Sequence, residues 1–246
     1  MKRLIGKKFP PNSHEKPLLK RSDIALTLVP AALWIFLVHS RAALITPRCI
    51  TEPLTCGAAS VFAPDRIVLG MTSPLADAWS FKTQFAAAWL ALLVPLAWAV
   101  VKRIRLWEIA TDLVILMETV LLNGVATEAI RLLVQRPRPF VYADIANLGK
   151  DPAHYTSFVS GHTSFTAAVS MCLLSTLMTR KVPKAAITFS AFTGISLIIL
   201  TGLFRVLSGR HFVTDVLGGA VVGISVAFLV ARLHQPRVAG PAVANT

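Results

Sequence analysis

Between Arg205 and Asp215 the chain reads Arg-Val-Leu-Ser-Gly-Arg-His-Phe-Val-Thr-Asp, a polar junction between two very apolar runs. His211 and Asp215 are four residues apart, so on a helix they stack on one face. A carboxylate beside an imidazole fixes its tautomer and makes the other ring nitrogen a better base or nucleophile. Arg205 and Arg210 add permanent charge on a planar fork that matches phosphate oxygens. Attack on a phosphate ester is the chemistry this pattern suits.

Two further stretches carry compatible groups: Arg131-x6-Arg138-Pro139, and Val159-Ser160-Gly161-His162. Phosphoryl transfer depends mainly on positioning and on neutralising charge on the equatorial oxygens. Arg131, Arg138 and Arg205 can supply that charge without a metal. Ser160 and the Gly161 backbone can donate from a helix N-terminus, a natural anion site. In this reading His211 attacks phosphorus while Asp215 holds its ring. His162 protonates the leaving oxygen and then activates water.

Each piece alone has a plainer reading. His-x3-Asp is ordinary helix-end packing, Ser-Gly-His is an ordinary turn and cap, and an arginine at a membrane boundary is ordinarily a snorkelling anchor. Their joint occurrence, in order and on one expected membrane face, favours catalysis. Arg136 and Arg210 stay as headgroup or loop contacts. His162, His211 and Asp215 could in principle hold a metal, but three arginines around them repel a cation. No metal and no cofactor is therefore expected at this site.

The remaining sequence must place these groups. Of 246 residues, 54% are hydrophobic and only 15% charged, with a mean hydropathy of +0.64. Soluble domains carry about 25% charged residues, so a membrane protein is expected. The net charge of +13 raises nucleic acid as a partner, but the basic residues sit between long apolar runs. Basic loops flanking membrane spans explain them more simply, and no nucleic-acid partner is expected. Residues 1–22 form a basic tail with Lys2, Arg3, Lys7, Lys8, Lys16, Lys20 and Arg21. That lead is long for a cleaved signal peptide, so the first apolar run is read as a membrane helix.

Spans are expected at 24–38 (extending toward 45), 84–101, 109–126 with helix continuing to 134, 163–178, 185–204 and 212–233. Each approaches the ~20 residues that cross a bilayer. Gly219 and Gly223 give the sixth a small-xxx-small pair suited to close packing. This is one all-α domain over residues 1–246, a six-span bundle ending in a short polar tail at 234–246. The positive-inside rule makes the tail, the loop at 102–105 and the loop at 180–184 cytoplasmic. The loops at 46–82, 135–161 and 205–211 then face the periplasm or cell exterior, and both termini are cytoplasmic. Arg131, Arg136, Arg138, Arg205 and Arg210 fall on the side the rule depletes of arginine; anion binding is a reason for them to be there.

In these three motifs the chain closely resembles the type-2 phosphatidic acid phosphatase family, which shares its site architecture with vanadium haloperoxidases. The family pattern reads Lys-x6-Arg-Pro, Pro-Ser-Gly-His and Ser-Arg-x5-His-x3-Asp, and the likeness runs from about Glu128 to Gly219. Arg131 stands where the family has Lys, Val159 where it has Pro, and Phe204 where it has Ser. The resemblance implies the same roles for His211, His162, Asp215 and the arginines, together with the six-span arrangement. It implies hydrolysis of a lipid phosphate at the bilayer surface of a cytoplasmic membrane. Phosphatidic acid, phosphatidylglycerol phosphate, a polyprenyl diphosphate and lipid A are all candidates. A non-enzymatic lipid-phosphate binder or transporter is the rival reading. A haloperoxidase is the other, and multiple spans count against it because the relatives with that activity are soluble.

Other residues admit more than one part. Cys49 and Cys56 share a loop and can pair if it faces an oxidising compartment; Cys172 is read as inert packing. Glu118 near mid-membrane is costly and either hydrogen-bonds another helix in protonated form or lines a polar route. Glu128, three before Arg131, either orients that arginine by ion pairing or takes a direct part.

Overall fold

A computed structural model of the protein describes residues 21–52 and 56–234. Most of the basic N-terminal tail (1–20) and of the C-terminal tail (235–246) lie outside the described residues. Among the described residues there is no strand. Six long helices dominate: α1 Arg21–His39, α2 Pro74–Lys102, α3 Leu106–Val134, α4 Gly161–Thr179, α5 Lys184–Leu207 and α6 Val213–His234. They coincide with the six expected apolar runs.

By length and composition, four segments can cross a membrane: Pro74–Lys102, Leu106–Ala143, Lys184–Leu207 and Val213–His234. The bent pair Asp23–His39 and Arg41–Thr51, broken by 58°, makes a fifth if it counts as one span. Helix α4 is too polar for this test, and its position explains why. It packs against α2, α3, α5 and α6, so its hydroxyls meet protein instead of lipid. Ser164 Oγ donates to Asn123 Oδ1 of α3 at 2.6 Å, and Thr166 Oγ1 donates to the His162 carbonyl at 2.9 Å. Polar groups are tolerated within a bundle when satisfied in this way. The outer helix faces instead present Leu28, Phe36, Phe85, Trp89, Phe189, Phe192 and Val221, all exposed. Such an apolar shell suits lipid.

The closest helix pair is α4 with α6. A Cβ on Gly219 would lie 2.5 Å from the Ser160 carbonyl oxygen, and one on Gly223 would lie 2.1 Å from that of Ser164. The small-xxx-small pair thus lets two backbones touch at the height of the candidate site.

The largest departure from expectation is the start of α2. The loop expected over 46–82 ends nine residues early, because Ser73 caps the helix by accepting from the Ala76 N–H at 3.2 Å, with Pro74 in the first turn. The extra turns carry Asp77, Ser80 and Phe81 to the site. The remaining loops at this end pack on one another: Cys49 and Cys56 form a disulfide, and Cys49 lies with Ile45, Val141 and Tyr155 in one small core. At the opposite end Arg180 binds Glu108 and Asp112, locking α4 to α3.

Candidate active site

The C-terminal ends of α1, α3 and α5 and the N-terminal ends of α2, α4 and α6 meet around a cavity of about 550 Å³. Arg131, Arg138, Arg205, Gly161, His162 and His211 all line it. Residues up to 80 positions apart in sequence are therefore brought to one place. Deeper in, Trp34, Val38, Phe81, Val120 and Phe165 give the same cavity an apolar wall.

The arginines are held individually. Arg131 Nε donates to the Val159 carbonyl at 3.0 Å and Nη1 to Glu128 Oε1 at 2.7 Å. Glu128 also receives Arg41, with Nε 2.8 Å from Oε2. Of the two parts open to Glu128, the geometry displays the orienting one. A Cβ on residue 161 would sit 2.6 Å from Arg131 Nη2, so glycine is needed for this guanidinium to lie against the start of α4. Arg205 Nη1 donates to Asp77 Oδ1 at 2.6 Å, and Asp77 also receives Arg210 Nη2 at 3.0 Å. Arg138 Nη2 reaches Thr156 Oγ1 at 3.2 Å. Two of these arginines keep an unused donor: among the described residues, buried Nε of Arg138 and of Arg205 have no hydrogen-bond partner. The same holds for His162 Nε2, whose ring packs edge-on against Phe81 with centroids 4.4 Å apart. Orphan buried donors cost about 1–3 kcal/mol each, and oxyanion acceptors would relieve them.

His211 lies in the short turn between α5 and α6 and is fully buried. Its Nδ1 is 2.8 Å from the Ser157 carbonyl oxygen. A carbonyl can only accept, so Nδ1 carries the proton and Nε2 keeps its lone pair. This corrects the expected part of Asp215: its Oδ2 is 3.7 Å from Nδ1, beyond hydrogen-bond distance. The carboxylate acts one step removed. Oδ2 accepts from Ser157 Oγ at 2.5 Å and from the Phe212 N–H at 2.8 Å, fixing both segments that flank the imidazole. Burial, and then the charges of Arg138, Arg205 and Arg131, hold the His211 imidazole well below its ordinary pKa. It is neutral at pH 7, as a nucleophile must be.

Ser160 departs from expectation as well. It is fully buried, its N–H donates to the Asp215 carbonyl at 2.9 Å, and its hydroxyl pairs with Thr163 Oγ1 at 3.1 Å. Ser160 and Asp215 thus stand behind the cavity wall that Gly161 and His211 form. Arg136, left earlier as a headgroup or loop contact, is an internal clamp instead. It binds Asp215 Oδ1 at 2.7 Å and Asp65 Oδ2 at 2.8 Å and stacks over Phe212. Phe204 packs on Trp79, and Val159 serves the site through its carbonyl, which a proline would also offer.

Sequence reasoning missed Asp77, Ser157, Asp65 and Arg41. Asp77 alone had a signal, the Ser-Pro start with an acidic first turn.

A neutral imidazole ringed by guanidinium groups at one end of an all-helical bundle defines a site for an oxyanion, within a protein whose outer surface suits lipid. The PAP2 superfamily model matches residues 112–239, just over half of the chain, and the chain belongs to that superfamily. Undecaprenyl-diphosphatase BcrC of Bacillus subtilis is 33% identical over 118 residues, covering 46% of this chain and 55% of its own length. "Probable lipid phosphate phosphatase 4" of Arabidopsis thaliana is 34% identical over 132 residues, covering 44% of this chain and 42% of its own. The chain spans about half the length of these relatives. A crystal structure of a transmembrane PAP2 type phosphatidylglycerolphosphate phosphatase from Bacillus subtilis aligns with a TM-score of 0.49 and 24% identity, over 85% of this chain and 98% of that one.

Proposed function

We propose that this protein is a metal-independent phosphatase of a phosphorylated membrane lipid, acting through a phosphohistidine on His211. The observation that carries this reading is the convergence of Arg131, Arg138, Arg205 and a neutral His211 on one cavity. The arginines hold the phosphate and spread its charge. His211 Nε2 attacks phosphorus as the ester oxygen leaves, and that oxygen takes a proton from His162. Burial and the arginines keep the His162 ring neutral before substrate binds; it enters this step as imidazolium once the bound phosphate offsets their charge. Water, deprotonated by His162, then cleaves the phosphorus–nitrogen bond and frees His211 and inorganic phosphate. Through both steps Asp215, 3.7 Å from Nδ1, offsets the positive charge that builds on the ring.

The apolar wall suits a substrate whose tails remain in lipid, and the relatives' names point to polyprenyl diphosphates and other lipid phosphates. Phosphatidic acid, phosphatidylglycerol phosphate and lipid A remain on the panel to be assayed. The whole chain is proposed to form one six-span domain in a cytoplasmic membrane, with both termini inside and the cavity facing outward. The disulfide at the cavity's end supports that orientation, because such bonds persist in oxidising compartments. So do the basic loops at the other end.

Purified protein should release inorganic phosphate from members of this panel with EDTA present, and His211→Ala should abolish release. Saturable binding of the same lipids with no release would favour an arginine-lined binder or transporter. Loss of release with EDTA, restored by a divalent metal, would sink the metal-independent mechanism.

A further inference from the structure

On the side of the bundle away from the arginine cavity, three potential metal ligands converge from three helices. They are Asp23 of α1, Glu118 of α3 and His234 of α6, with one ligand atom from each lying within 4.8 Å of the others. Asp23 lies roughly 24 Å along α1 from His39, at 1.5 Å per residue, so this cluster is separate from the proposed active site.

Glu118 is the residue that asks for an explanation. It is fully buried in a helix apolar enough to span a membrane, where acidic groups are rare and functional. Its Oε2 lies 2.6 Å from His234 Nε2, but among the described residues its buried Oε1 has no hydrogen-bond partner. A Glu–His hydrogen bond therefore accounts for half of this carboxylate. It leaves the other oxygen, buried and facing the place where the three ligand atoms converge, unaccounted for.

We propose that Asp23, Glu118 and His234 form a binding site for one divalent transition cation of the zinc, manganese or iron(II) class. One imidazole nitrogen with two carboxylates is a donor set for these ions; magnesium and calcium prefer all-oxygen shells. Ligand atoms on a tetrahedral ion with ~2.0–2.1 Å bonds sit ~3.3 Å apart. The 2.6 Å between Glu118 Oε2 and His234 Nε2 and the 4.8 Å limit on the group bracket that spacing. Asp23 and His234 are partly exposed, which gives an ion a way in, whereas Glu118 is not.

The site would tie the N-terminal end of α1 to α3 and α6. Helix α1 packs chiefly on α3, and its outer half supplies Trp34 and Val38 to the active-site wall. The ion would fix a helix that borders the substrate cavity without touching the reacting groups.

The test uses untagged full-length protein in detergent, stripped with chelator and then given Zn²⁺, Mn²⁺ or Mg²⁺. Metal content after desalting and the thermal midpoint are read. The proposal expects about one equivalent of Zn²⁺ or Mn²⁺ retained. It also expects a midpoint raised on the order of 5 °C at saturating ion, with no shift from Mg²⁺. Glu118→Gln and His234→Gln should each abolish uptake and shift, while His211→Ala should retain both, which separates this ion from any held at the active site. Should Glu118→Gln fold poorly, Asp23→Asn, at the partly exposed edge, serves in its place with the same expectation. No retained metal, or uptake unchanged in these variants, would overturn the proposal and leave Glu118 and His234 as a hydrogen-bonded pair.

Discussion

Arg180 and Arg205 are both arginines at helix ends, each facing carboxylates, yet they are used in opposite ways. At one end of the bundle Arg180 spends its whole fork: Nε and Nη2 meet the Asp112 carboxylate at 3.0 Å each, Nη1 meets Glu108, and Nη2 also reaches the Glu108 carbonyl at 2.7 Å. At the other end, among the described residues, Arg205 and Arg138 leave Nε without a partner, though both are buried. A structural arginine exhausts its donors on the protein. One that keeps a buried donor idle, at a cost of about 1–3 kcal/mol, is placed for an anion yet to arrive. Arg136, with both terminal nitrogens on carboxylates, belongs with Arg180 despite standing beside the site.

The proposed mechanism extends this contrast to activity. His211→Ala should lower kcat by about 10⁴-fold or more, since the nucleophile itself is gone; phosphate release on a lipid substrate reads this directly. Arg138→Ala and Arg205→Ala should each cost about 10²–10³ in kcat/KM, as oxyanion donors do, with small changes in thermal midpoint. Arg180→Ala should reverse the pattern, lowering the midpoint by several degrees while leaving kcat/KM of the folded fraction within about twofold. An Arg180 variant that loses activity without losing stability would break the comparison.

Ser157→Ala should fall between these extremes. It removes the hydroxyl on Asp215 and keeps the carbonyl on His211, so a loss of about tenfold in kcat is expected.

The pH response is the smallest effect, and its sign follows from burial. His211 is held well below its ordinary pKa, so the folded site keeps the imidazole neutral as pH drops through 6.5. The unfolded chain takes up that proton near 6.5. This residue therefore makes folding less favourable as pH falls below about 6.5 and has no such effect above it. Thermal midpoints from pH 8 to 5 should decline less in His211→Asn than in the parent protein. Imidazole ¹⁵N shifts should show His211 neutral at pH 6.

Much of this was legible in the sequence because membrane spans and short catalytic spacings are local signals. The apolar runs located all six long helices, and three motifs located Arg131, Arg138, Arg205, His162 and His211. What escaped was the second layer. Asp77 was hidden because its loop was extended through a helix that Ser73 and Pro74 in fact begin. Asp65 and Ser157 act through tertiary contacts 149 and 54 residues away in sequence, which no spacing rule reaches. The His211–Asp215 spacing was read correctly as proximity, but Asp215 holds the ring through Ser157 and the Phe212 N–H and not directly. A four-residue separation assumes both side chains leave one helix, whereas His211 precedes the helix that Asp215 helps to start.

The central claim is that His211 carries the phosphoryl group between the two steps. Rapid quenching of enzyme with ³²P-labelled lipid phosphate in EDTA, followed by peptide mapping, tests it directly. The account predicts an acid-labile, base-stable label on the peptide containing His211, missing in His211→Ala. Turnover with no covalent label, or a label on another residue, would contradict it.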